Sequence, residues 1–484
     1  MNPLTIEERQ KAFAIPKKQE VIERQKLPVR YHVEDFPIED RPRRFLQAFA
    51  AILKHSNYRF VLDHYIRTSA KCSRCTVQCQ VYEATKDLRD IPCYRSEMLL
   101  KVYRRHFTVA GLLRGRLTSD PGLTDEQIQE MARAFYDCTA CRRCQIECPA
   151  GIDHGLVTHL GRYILAEIGI APRALVVSTR EQLIGETKNT SAIPLPALTD
   201  TIEFLEEEMA ETKGVEVKFP IDVEGADYLF IAPVSDFLME AETLMGIACV
   251  MHAVNASWTL GTNNYDAINY GLFYSDHVLE KVLLNMEKEA ERLKIKKGIL
   301  IGECGHATRS ARGYYNTYAK RYPLPIINVM EYTWDQIRAG KLKFDRNMIK
   351  ETVTYHDPCN IARPGWIIEQ PRNIIKYFID DYVEMSPSRR NNFCCGGGGG
   401  TVSIDEIRPY RTTIGGRKKA EQISKTIKDG KAHYIIAPCA NCKKQLRELI
   451  EDQKIPSTLV GLHDLIYKAI ILSDDGVAWH DGNN

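Results

Sequence analysis

The chain has 484 residues with ordinary proportions of hydrophobic (44%) and charged (26%) side chains, typical of a globular protein of about two to four domains. Its 65 Lys and Arg residues nearly balance 63 Asp and Glu residues, so no net field favours nucleic acid or a lipid surface. No apolar run approaches the roughly 18 residues that a membrane-spanning helix needs, and residues 1–20 lack the apolar core of a secretory signal. We therefore expect a soluble, cytoplasmic chain that reaches a membrane only through a partner.

The first predicted elements are helical. A polar, proline-containing arm is expected over residues 1–45, and the apolar spacing predicts a helix over 44–70. Another helix is predicted over 94–107. Thr124 and Gln127 then match the capping-box pattern, which predicts that a helix begins there.

The C-terminal part has a different pattern. Helical patterning continues over 150–215, and from about residue 220 short apolar, β-rich segments alternate with amphipathic helices, as in α/β units. The clearest predicted strands lie at 227–233, 296–303, 351–358 and 432–438. DYLFIAPV aligns with TVTYHDPC, and KKGILIGECGHATRS aligns with AHYIIAPCANCKKQ. We therefore predict two related α/β halves.

Cysteine is the most informative residue type. The chain has 15 cysteines, and thirteen of them form three groups: Cys72, Cys75, Cys79 and Cys93; Cys138, Cys141, Cys144 and Cys148; and Cys359, Cys394, Cys395, Cys439 and Cys442. Disulfide frameworks of this density belong to short secreted proteins, and this chain has neither property. Clustered thiols in a cytoplasmic chain indicate metal binding instead.

The second group has the spacing of a bacterial ferredoxin run. CTACRRCQIECP (138–149) reads C-x2-C-x2-C-x3-C-P, which predicts a [4Fe–4S] cubane, whereas zinc sites usually use two CxxC pairs or add histidines. In two-cluster ferredoxins the fourth cysteine of each run binds the other cluster. That logic joins Cys148 to Cys72, Cys75 and Cys79, and Cys93 to Cys138, Cys141 and Cys144.

The first group is less regular. Cys79 stands one position later than a ferredoxin run would place its third cysteine, and Cys93 follows after thirteen residues. Eight thiolates suffice for two cubanes. The alternative is that Cys93 is a core thiol and the first site holds a three-iron or zinc centre.

The third group contains NNFCCGGGGGT (391–401), in which two cysteines precede five glycines. Cys359 and the 439–442 pair each follow a predicted strand, where open α/β sheets place their ligands. Five thiolates exceed the four that a cubane needs. Glycines permit positive φ angles and a close backbone approach to an inorganic core, and their N–H groups can point at its sulfides. The alternative is a flexible linker with incidental cysteines.

These residues carry a family resemblance. HDPC at 356–359, CCG at 394–396 and PCANC at 438–442 resemble the cysteine-rich CCG domain of heterodisulfide reductases. With the N-terminal cysteine groups, residues 60–475 resemble the D-subunit type, and within it the iron–sulfur K subunit of the membrane-bound, menaquinol-oxidising complex of dissimilatory sulfite reduction. The resemblance implies that Cys359, Cys394, Cys395, Cys439 and Cys442 bind a noncubane [4Fe–4S] cluster, which forms or cleaves an S–S bond by one-electron steps.

The fold class implied is α+β and multidomain: a helical ferredoxin-like domain with two cubanes, followed by two pseudo-repeated CCG-type α/β halves. The expected divisions are 1–60 (arm and helix), 61–215 (ferredoxin-like), 216–345 (degenerate half) and 346–484 (half with the noncubane site). In the degenerate half Val234 replaces Cys359, TLGTNNYDA (259–267) replaces CCGG, and only Cys304 remains, at the position of Cys439. One noncubane cluster is therefore expected.

Cys304 and His306 are the candidate catalytic residues. If the halves pack face to face about a pseudo-twofold axis, Cys304 approaches the cluster as an extra ligand, a resolving thiol or a substrate contact, and His306 supplies a proton to a departing thiolate. The alternative is a packed remnant beside a structural histidine. His356 is interpreted as a strand-end structural histidine and Cys249 as a core residue.

The family resemblance also implies partners. It predicts a catalytic subunit acting on a disulfide or trisulfide, carried by a small sulfur-carrier protein, and a membrane cytochrome b-type subunit that exchanges electrons with the quinol pool. The chain would then lie peripherally on the inner face of the membrane. Basic residues near the cluster segments either dock an acidic carrier or solvate the surface: Arg389, Arg390, Arg417, Lys418, Lys419, Lys443 and Lys444. The alternatives are the iron–sulfur subunit of a lactate- or glycolate-type oxidase, or an electron relay without its own chemistry.

Overall fold

The computed structural model describes residues 39–118, 122–427 and 433–472. Most of the arm predicted at 1–45 lies outside these residues. The chain divides into two compact units, described separately below. The N-terminal unit comprises residues up to Val176 with the later segments Phe273–Ser275 and Phe393–Lys419, and the α/β unit comprises Val177–Leu272, Asp276–Asn392 and the residues from Ala420 onward.

The N-terminal unit is helical. In chain order its helices are α1 (Arg41–His55), α2 (Tyr58–Thr68), α3 (Gln80–Thr85), α4 (Pro92–Phe107), α5 (Val109–Leu117), α6 (Asp125–Tyr136), α7 (Arg143–Ile146) and α8 (His154–Glu167). The structure confirms the helix predicted over 94–107. It also confirms the capping box, because Thr124 Oγ1 accepts from the Gln127 N–H at 3.3 Å and Gln127 Oε1 accepts from the Thr124 N–H at 3.3 Å.

The single helix predicted over 44–70 is wrong, because α1 and α2 are separate helices. Ser56 is extended (φ −143°, ψ 170°), and its Oγ donates to the Ile52 carbonyl at 2.6 Å. A serine side chain that takes a backbone acceptor competes with helix propagation, so α1 ends there. The apolar periodicity continues across the break and gives no sign of it.

The next helices are α9 (Arg173–Ile184) and α10 (Leu195–Lys213). Helix α10 belongs to the α/β unit, whereas the expected division placed residues up to 215 in the ferredoxin-like domain. Its apolar face explains the difference: Met209 is fully buried, and its sulfur lies 3.9 Å from Cys249 Sγ. Cys249 is a fully buried core residue, as predicted.

Two parallel four-stranded sheets form the α/β unit. The first has the order β2-β1-β3-β4, with β1 Tyr228–Ile231, β2 Trp258–Leu260, β3 Gly298–Ile301 and β4 Ile326–Asn328. The second has the order β7-β6-β8-β9, with β6 Thr352–Tyr355, β7 Tyr382–Val383, β8 His433–Ile436 and β9 Ser457–Val460. The shared order confirms the predicted internal repeat and all four predicted strands.

The remaining elements connect and cover these sheets. β5 (Lys343–Phe344) pairs antiparallel with β10 (Ile470–Ile471). The helices are α11 (Val234–Met239), α12 (Ala241–Ala253), α13 (Gly271–Tyr274), α14 (Asp276–Arg292), α15 (Gly305–Tyr318), α16 (Val329–Arg338), α17 (Cys359–Ala362), α18 (Glu369–Phe378), α19 (Arg408–Tyr410), α20 (Arg417–Thr426), α21 (Ala440–Asp452) and α22 (Leu462–Ala469). None of the helices in the described ranges combines the length and apolar character of a membrane span.

The repeat places corresponding residues at corresponding helix starts. Val234 begins α11 after Pro233, just as Cys359 begins α17 after Pro358. Cys304 is the N-cap of α15, just as Cys439 is the N-cap of α21. The structure therefore supports the alignment in which one half kept its thiols and the other lost all but Cys304.

The two halves pack closely through their helices. α12 packs on α22, and a Cβ on Gly246 would lie only 1.9 Å from the His463 carbonyl oxygen. α15 packs on α17. A Cβ on Gly305, at the start of α15, would lie 3.3 Å from Cys439 Sγ, at the start of α21. The start of α15 therefore faces the cysteine loops of the second half, as the pseudo-twofold arrangement predicts.

Candidate iron–sulfur sites

The eight N-terminal cysteines line two cavities of four thiols each. The first thiol site is lined by Cys72, Cys75, Cys93 and Cys148. The second thiol site is lined by Cys79, Cys138, Cys141 and Cys144. Four soft sulfur donors around one cavity suit an iron–sulfur cluster.

This grouping corrects the predicted pairing, which assigned Cys79 to the first site and Cys93 to the second. The spacing explains the exchange: Cys79 follows Cys75 by the same C-x3-C interval by which Cys148 follows Cys144. Cys79 is therefore the counterpart of Cys148, and each of these two cysteines lines the other run's cavity. Cys93 supplies the thiol that the first run lacks.

The backbone repeats the same relationship. Lys71 and Ala140, one residue before equivalent cysteines, have φ angles of 51° and 49°. Ser73 and Arg142, one residue after them, have φ angles of 58° and 59°. Non-glycine residues seldom adopt positive φ, so the shared pattern shows that both runs fold into the same turn.

Cys93 lines the first thiol site. The Cys75 thiol donates a hydrogen bond to it, which lowers the pKa of Cys93 to about 6. Ser73 Oγ lies 3.7 Å from its sulfur. These contacts favour four thiols at this site over the alternative with three.

A buried cation lines the second thiol site. Arg95 is 2% exposed, and its Nη2 donates to the Asp90 carbonyl at 3.1 Å. Its Nε has no hydrogen-bond partner among the described residues. Burial raises the pKa of Cys79 to about 12, and the Arg95 charge opposes that rise, so the guanidinium favours the thiolate form.

The segment Phe393–Lys419, named here the double-cysteine segment, belongs to the N-terminal unit. Cys394 and Cys395 are 0% and 2% exposed. Gly396, Gly399 and Gly400 have φ angles of 102°, 67° and 83°, which confirms the predicted need for positive φ. A buried, left-handed turn excludes the flexible-linker alternative.

The glycines also permit a close approach that the sequence did not identify. A Cβ on Gly398 would lie 2.4 Å from the Thr139 carbonyl oxygen, and one on Gly399 would lie 2.8 Å from that of Cys138. The glycine run therefore packs directly on the backbone of the second ferredoxin run. A side chain at either position would separate the two segments.

The other three cysteines of the third group lie at the ends of neighbouring strands in the α/β unit. Cys359 follows β6, and Cys439 and Cys442 follow β8, which pairs with β6. All three are buried, with exposures of 4–6%. A ring nitrogen of the fully buried His356 lies within 4.8 Å of Cys442 Sγ, although the sequence indicated only a structural role for this histidine.

The loop before Cys359 is held by a buried ion pair that the sequence analysis missed. Arg372 and Asp357 are each 1% exposed, and the guanidinium donates to both carboxylate oxygens at 2.8 Å. Asp357 also accepts from the Arg389 N–H at 2.6 Å and, through its carbonyl, from the Asn392 side chain. One carboxylate thus fixes both the 356–359 loop and residues 389–392.

Two of the basic residues considered for docking a partner are buried. Lys419 is 0% exposed, and Lys443 is 1% exposed, with its Nζ 3.3 Å from Glu303. The docking and surface-solvation interpretations are therefore both wrong for these two residues. Arg389 forms ion pairs with Glu369 at 2.6 Å and Glu384 at 3.4 Å.

Cys304 and His306 flank Gly305, which contacts Cys439. The Gly305 N–H donates to Cys439 Sγ at 3.3 Å, and Cys304 Sγ lies 3.3 Å from His306 Nδ1. The Asn269 N–H donates to His306 Nε2 at 3.3 Å, which leaves the proton of a neutral ring on Nδ1. Two groups lie next to Nδ1, the Cys304 sulfur at 3.3 Å and the Asn441 side-chain nitrogen at 3.2 Å.

The electrostatics define the protonation of this pair. Burial lowers the pKa of His306 to about 4, so the ring is neutral at pH 7. Burial and the nearby Cys439 raise the pKa of the Cys304 thiol well above its ordinary value. At pH 7 His306 is therefore a neutral hydrogen-bonding group.

A buried ionic cluster lies behind this pair. Lys443 Nζ is 3.3 Å from Glu303, and His463 Nδ1 is 2.8 Å from the same carboxylate. Burial raises the pKa of Glu303, but Lys443 and His463 more than compensate and hold it at about 2. Asp236 is fully buried, and burial raises its pKa well above the ordinary value.

Comparison with known families agrees with this arrangement. A cysteine-rich CCG domain matches residues 353–447, and a 4Fe–4S dicluster domain matches residues 70–152. The chain is 25% identical over 473 residues to the Hdr-like menaquinol oxidoreductase iron-sulfur subunit 2 of Archaeoglobus fulgidus, covering 89% of this chain and 84% of the relative. The chain therefore contains a 4Fe–4S dicluster domain and a cysteine-rich CCG domain, and over most of its length it is similar to an Hdr-like iron–sulfur subunit.

Two further relatives show the range of proteins to which the chain is similar. The D subunit of the dihydromethanophenazine:CoB–CoM heterodisulfide reductase of Methanosarcina barkeri is 24% identical over 409 residues, which cover 83% of this chain and 93% of the relative. The EtfAB:quinone oxidoreductase of Syntrophomonas wolfei is 22% identical over 374 residues, 71% of this chain and 49% of that relative. No solved structure gives a significant match.

Proposed function

We propose that this chain is the catalytic iron–sulfur subunit of a membrane-associated electron-transfer complex that reduces or forms a disulfide or trisulfide. The observation that carries the proposal is the C…CC…CxxC set, in which all five cysteines are buried and the thiol of the degenerate half, Cys304, lies beside Cys439. The relatives named as heterodisulfide reductase and menaquinol oxidoreductase subunits support it.

The donor sets fit three clusters. The first and second thiol sites each offer four cysteines, which suits a cubane. Cys359, Cys394, Cys395, Cys439 and Cys442 would hold the noncubane [4Fe–4S] cluster. When bound, that cluster supplies single electrons and direct iron–sulfur bonding to a sulfur substrate.

The residues around Cys439 would handle the thiol and the proton. The Gly305 N–H stabilises negative charge on Cys439 Sγ. Cys304 is a buried thiol that can serve as the resolving group, and its sulfur lies 3.3 Å from His306 Nδ1. Reduction of one S–S bond consumes two electrons and two protons and yields two thiols. The neutral His306 ring would hydrogen-bond to the departing thiolate, which then takes its proton from solvent.

The partners follow from the same proposal. We propose a membrane cytochrome b-type subunit linked to the quinol pool, with this chain peripheral on the inner face of the membrane. A small sulfur-carrier protein is the proposed substrate. The name of the Archaeoglobus relative, a menaquinol oxidoreductase subunit, supports the quinol link.

A second candidate is an iron–sulfur electron-transfer subunit without sulfur chemistry, as in lactate- or glycolate-type oxidases. The likeness to an EtfAB:quinone oxidoreductase favours it, because the name of that relative includes no sulfur substrate. This candidate requires no role for Cys304 or His306.

Anaerobic iron analysis combined with electron paramagnetic resonance (EPR) distinguishes the two candidates. Three clusters predict about twelve irons per chain. Oxidised protein treated with a substrate thiol should give a paramagnetic signal, and reduced viologen should drive disulfide reduction. Cys304→Ser should reduce that turnover and alter the signal, with Cys249→Ser as the buried-thiol control. Turnover absent from a fully loaded wild-type chain would favour the electron-transfer candidate.

A further inference from the structure

One glutamine joins the second thiol site to the double-cysteine segment within the N-terminal unit. Gln80 directly follows Cys79, and it is 3% exposed. Its Oε1 accepts from the Cys394 N–H at 2.8 Å, and its Nε2 donates to the Cys394 carbonyl at 3.1 Å. The same Nε2 also donates to the Gly415 carbonyl. A single side chain thus holds both backbone polar groups of Cys394.

A buried arginine makes a second connection between the same segments. Arg162 is 1% exposed, and its Nη2 donates to the Cys138 carbonyl at 2.6 Å. Its Nη1 donates to the Gly399 carbonyl at 2.8 Å. The guanidinium therefore links the second ferredoxin run to the glycine run, where the absence of Cβ atoms already permits close packing.

A third contact comes from the residue before Cys144. The Arg143 guanidinium carbon lies 4.3 Å from the centre of the Phe393 ring, a cation–π contact next to Cys394. Three cysteines that line the second thiol site are thus connected to the double-cysteine segment. Cys79 is connected through its neighbour Gln80, Cys138 through Arg162, and Cys144 through its neighbour Arg143.

We propose that the second thiol site is the electron partner of the double-cysteine segment, and that Gln80 is the positioning residue that fixes their separation. This inference rests on the proposed function. One electron passes at a time, one site being oxidised and the other reduced, and no bond forms or breaks. Because tunnelling rates fall steeply with distance, residues that fix two neighbouring sites control the rate.

Only an amide satisfies the three backbone groups that Gln80 contacts. Its oxygen accepts one N–H, and its nitrogen donates to two carbonyls. Glutamate would keep the acceptor but direct a carboxylate oxygen at two carbonyl oxygens. Leucine would preserve bulk and leave all three buried backbone groups unsatisfied.

The test compares the wild-type chain with its Gln80→Leu and Gln80→Glu variants, each full-length and loaded with iron anaerobically. Gln129→Leu, on the exposed surface of α6, is the matched control. Rapid mixing with reduced viologen followed by freeze-quench EPR would report the reduction of the cubane sites and the later change of the thiol-dependent signal. We expect normal iron content and normal cubane reduction, with the later change slowed about tenfold or more in both variants.

The outcomes separate this inference from the proposed function. A wild-type chain with no thiol-dependent signal would refute the proposed function and the inference with it. If the wild-type chain gives the thiol-dependent signal and the Gln80 variants transfer electrons as fast as the Gln129→Leu control, the inference alone is refuted. Loss of iron from the Gln80 variants would show that the residue only maintains the fold, and that also overturns it. Arg162→Lys, which cannot bridge both carbonyls in the same way, should slow the same step.

Discussion

Replacing Arg372 with methionine tests the buried ion pair that holds the loop before Cys359. Arg372 donates to Asp357 through two 2.8 Å bonds and to Glu384 through bonds of 2.7 and 2.8 Å. The substitution leaves Asp357, which is 1% exposed, without its cation. Breaking a buried pair by removing one partner typically costs about 3–5 kcal/mol, a large part of the roughly 5–15 kcal/mol that stabilises a folded protein.

Anaerobic urea unfolding measures this cost. With a slope of about 3 kcal/mol per molar urea, a loss of 3–5 kcal/mol lowers the midpoint by about 1–1.7 M. Arg346→Met is the matched control, since its pair with Asp380 is exposed (51% and 73%) and such pairs contribute about 0–1 kcal/mol. We also expect Arg372→Met to lose iron bound by Cys359 before iron at the two four-thiol sites.

The double variant sharpens the interpretation. Asp357→Asn combined with Arg372→Met also removes the buried carboxylate charge and should recover much of the lost stability. If Arg372→Met unfolds at the same urea concentration as Arg346→Met, then the buried pair does not stabilise the loop and the reasoning fails.

Three further predictions follow from the sites. Arg95→Met should lower the reduction potential of the cluster at the second thiol site by on the order of 50 mV, which corresponds to about 1 kcal/mol of lost charge attraction. A redox titration followed by EPR should show no change at the first thiol site. Gly398→Ala should cost about 1–3 kcal/mol and lower the thermal midpoint, because its Cβ would meet the Thr139 carbonyl oxygen. Gly313→Ala is the control for added bulk, since a Cβ there has no atom within 4 Å and its φ is not positive. Glu303 has a pKa held at about 2 against an ordinary value of 4.5, so its contribution to stability is complete above pH 4.5 and declines as pH falls towards 2. Glu303→Gln should flatten acid unfolding measured by circular dichroism over that range, whereas an unchanged acid limb would contradict the assignment.

The cysteine spacing holds information about the two N-terminal sites that the predicted pairing did not use. Cysteine spacing located both sites, and the C-x3-C interval from Cys75 to Cys79 already matched the one from Cys144 to Cys148. The pairing failed because Cys79 was treated as a displaced third ligand. Aligning the two runs by their x3 intervals assigns Cys79 to the second site without any coordinates.

Other features depended on tertiary contacts that local patterns do not encode. Gln80 contacts a backbone 314 positions away, and Lys443 contacts Glu303 across the two halves. A lysine following a CxxC pair resembles a surface residue in sequence, and only the fold shows that it is buried. The proximity of His356 to the Cys442 thiol is hidden for the same reason, since that thiol follows another strand.

The degenerate half lacks most of the cysteines of the cluster site, yet the corresponding helix start is hydrogen-bonded without them. The Asp266 carboxylate accepts from the N–H groups of Val234 at 3.2 Å and Ile268 at 2.9 Å, so a carboxylate satisfies the helix start where the other half has a cysteine. A half closed in this way has no structural need for a thiol at residue 304. Yet Cys304 is retained, with its sulfur 3.3 Å from His306 Nδ1 and with the adjacent Gly305 N–H donating to Cys439 Sγ at 3.3 Å. A packed remnant requires burial alone, whereas a functional thiol also needs these neighbours. We therefore expect Cys304→Ala to lower turnover, and unchanged turnover would show that Cys304 is only a packed remnant.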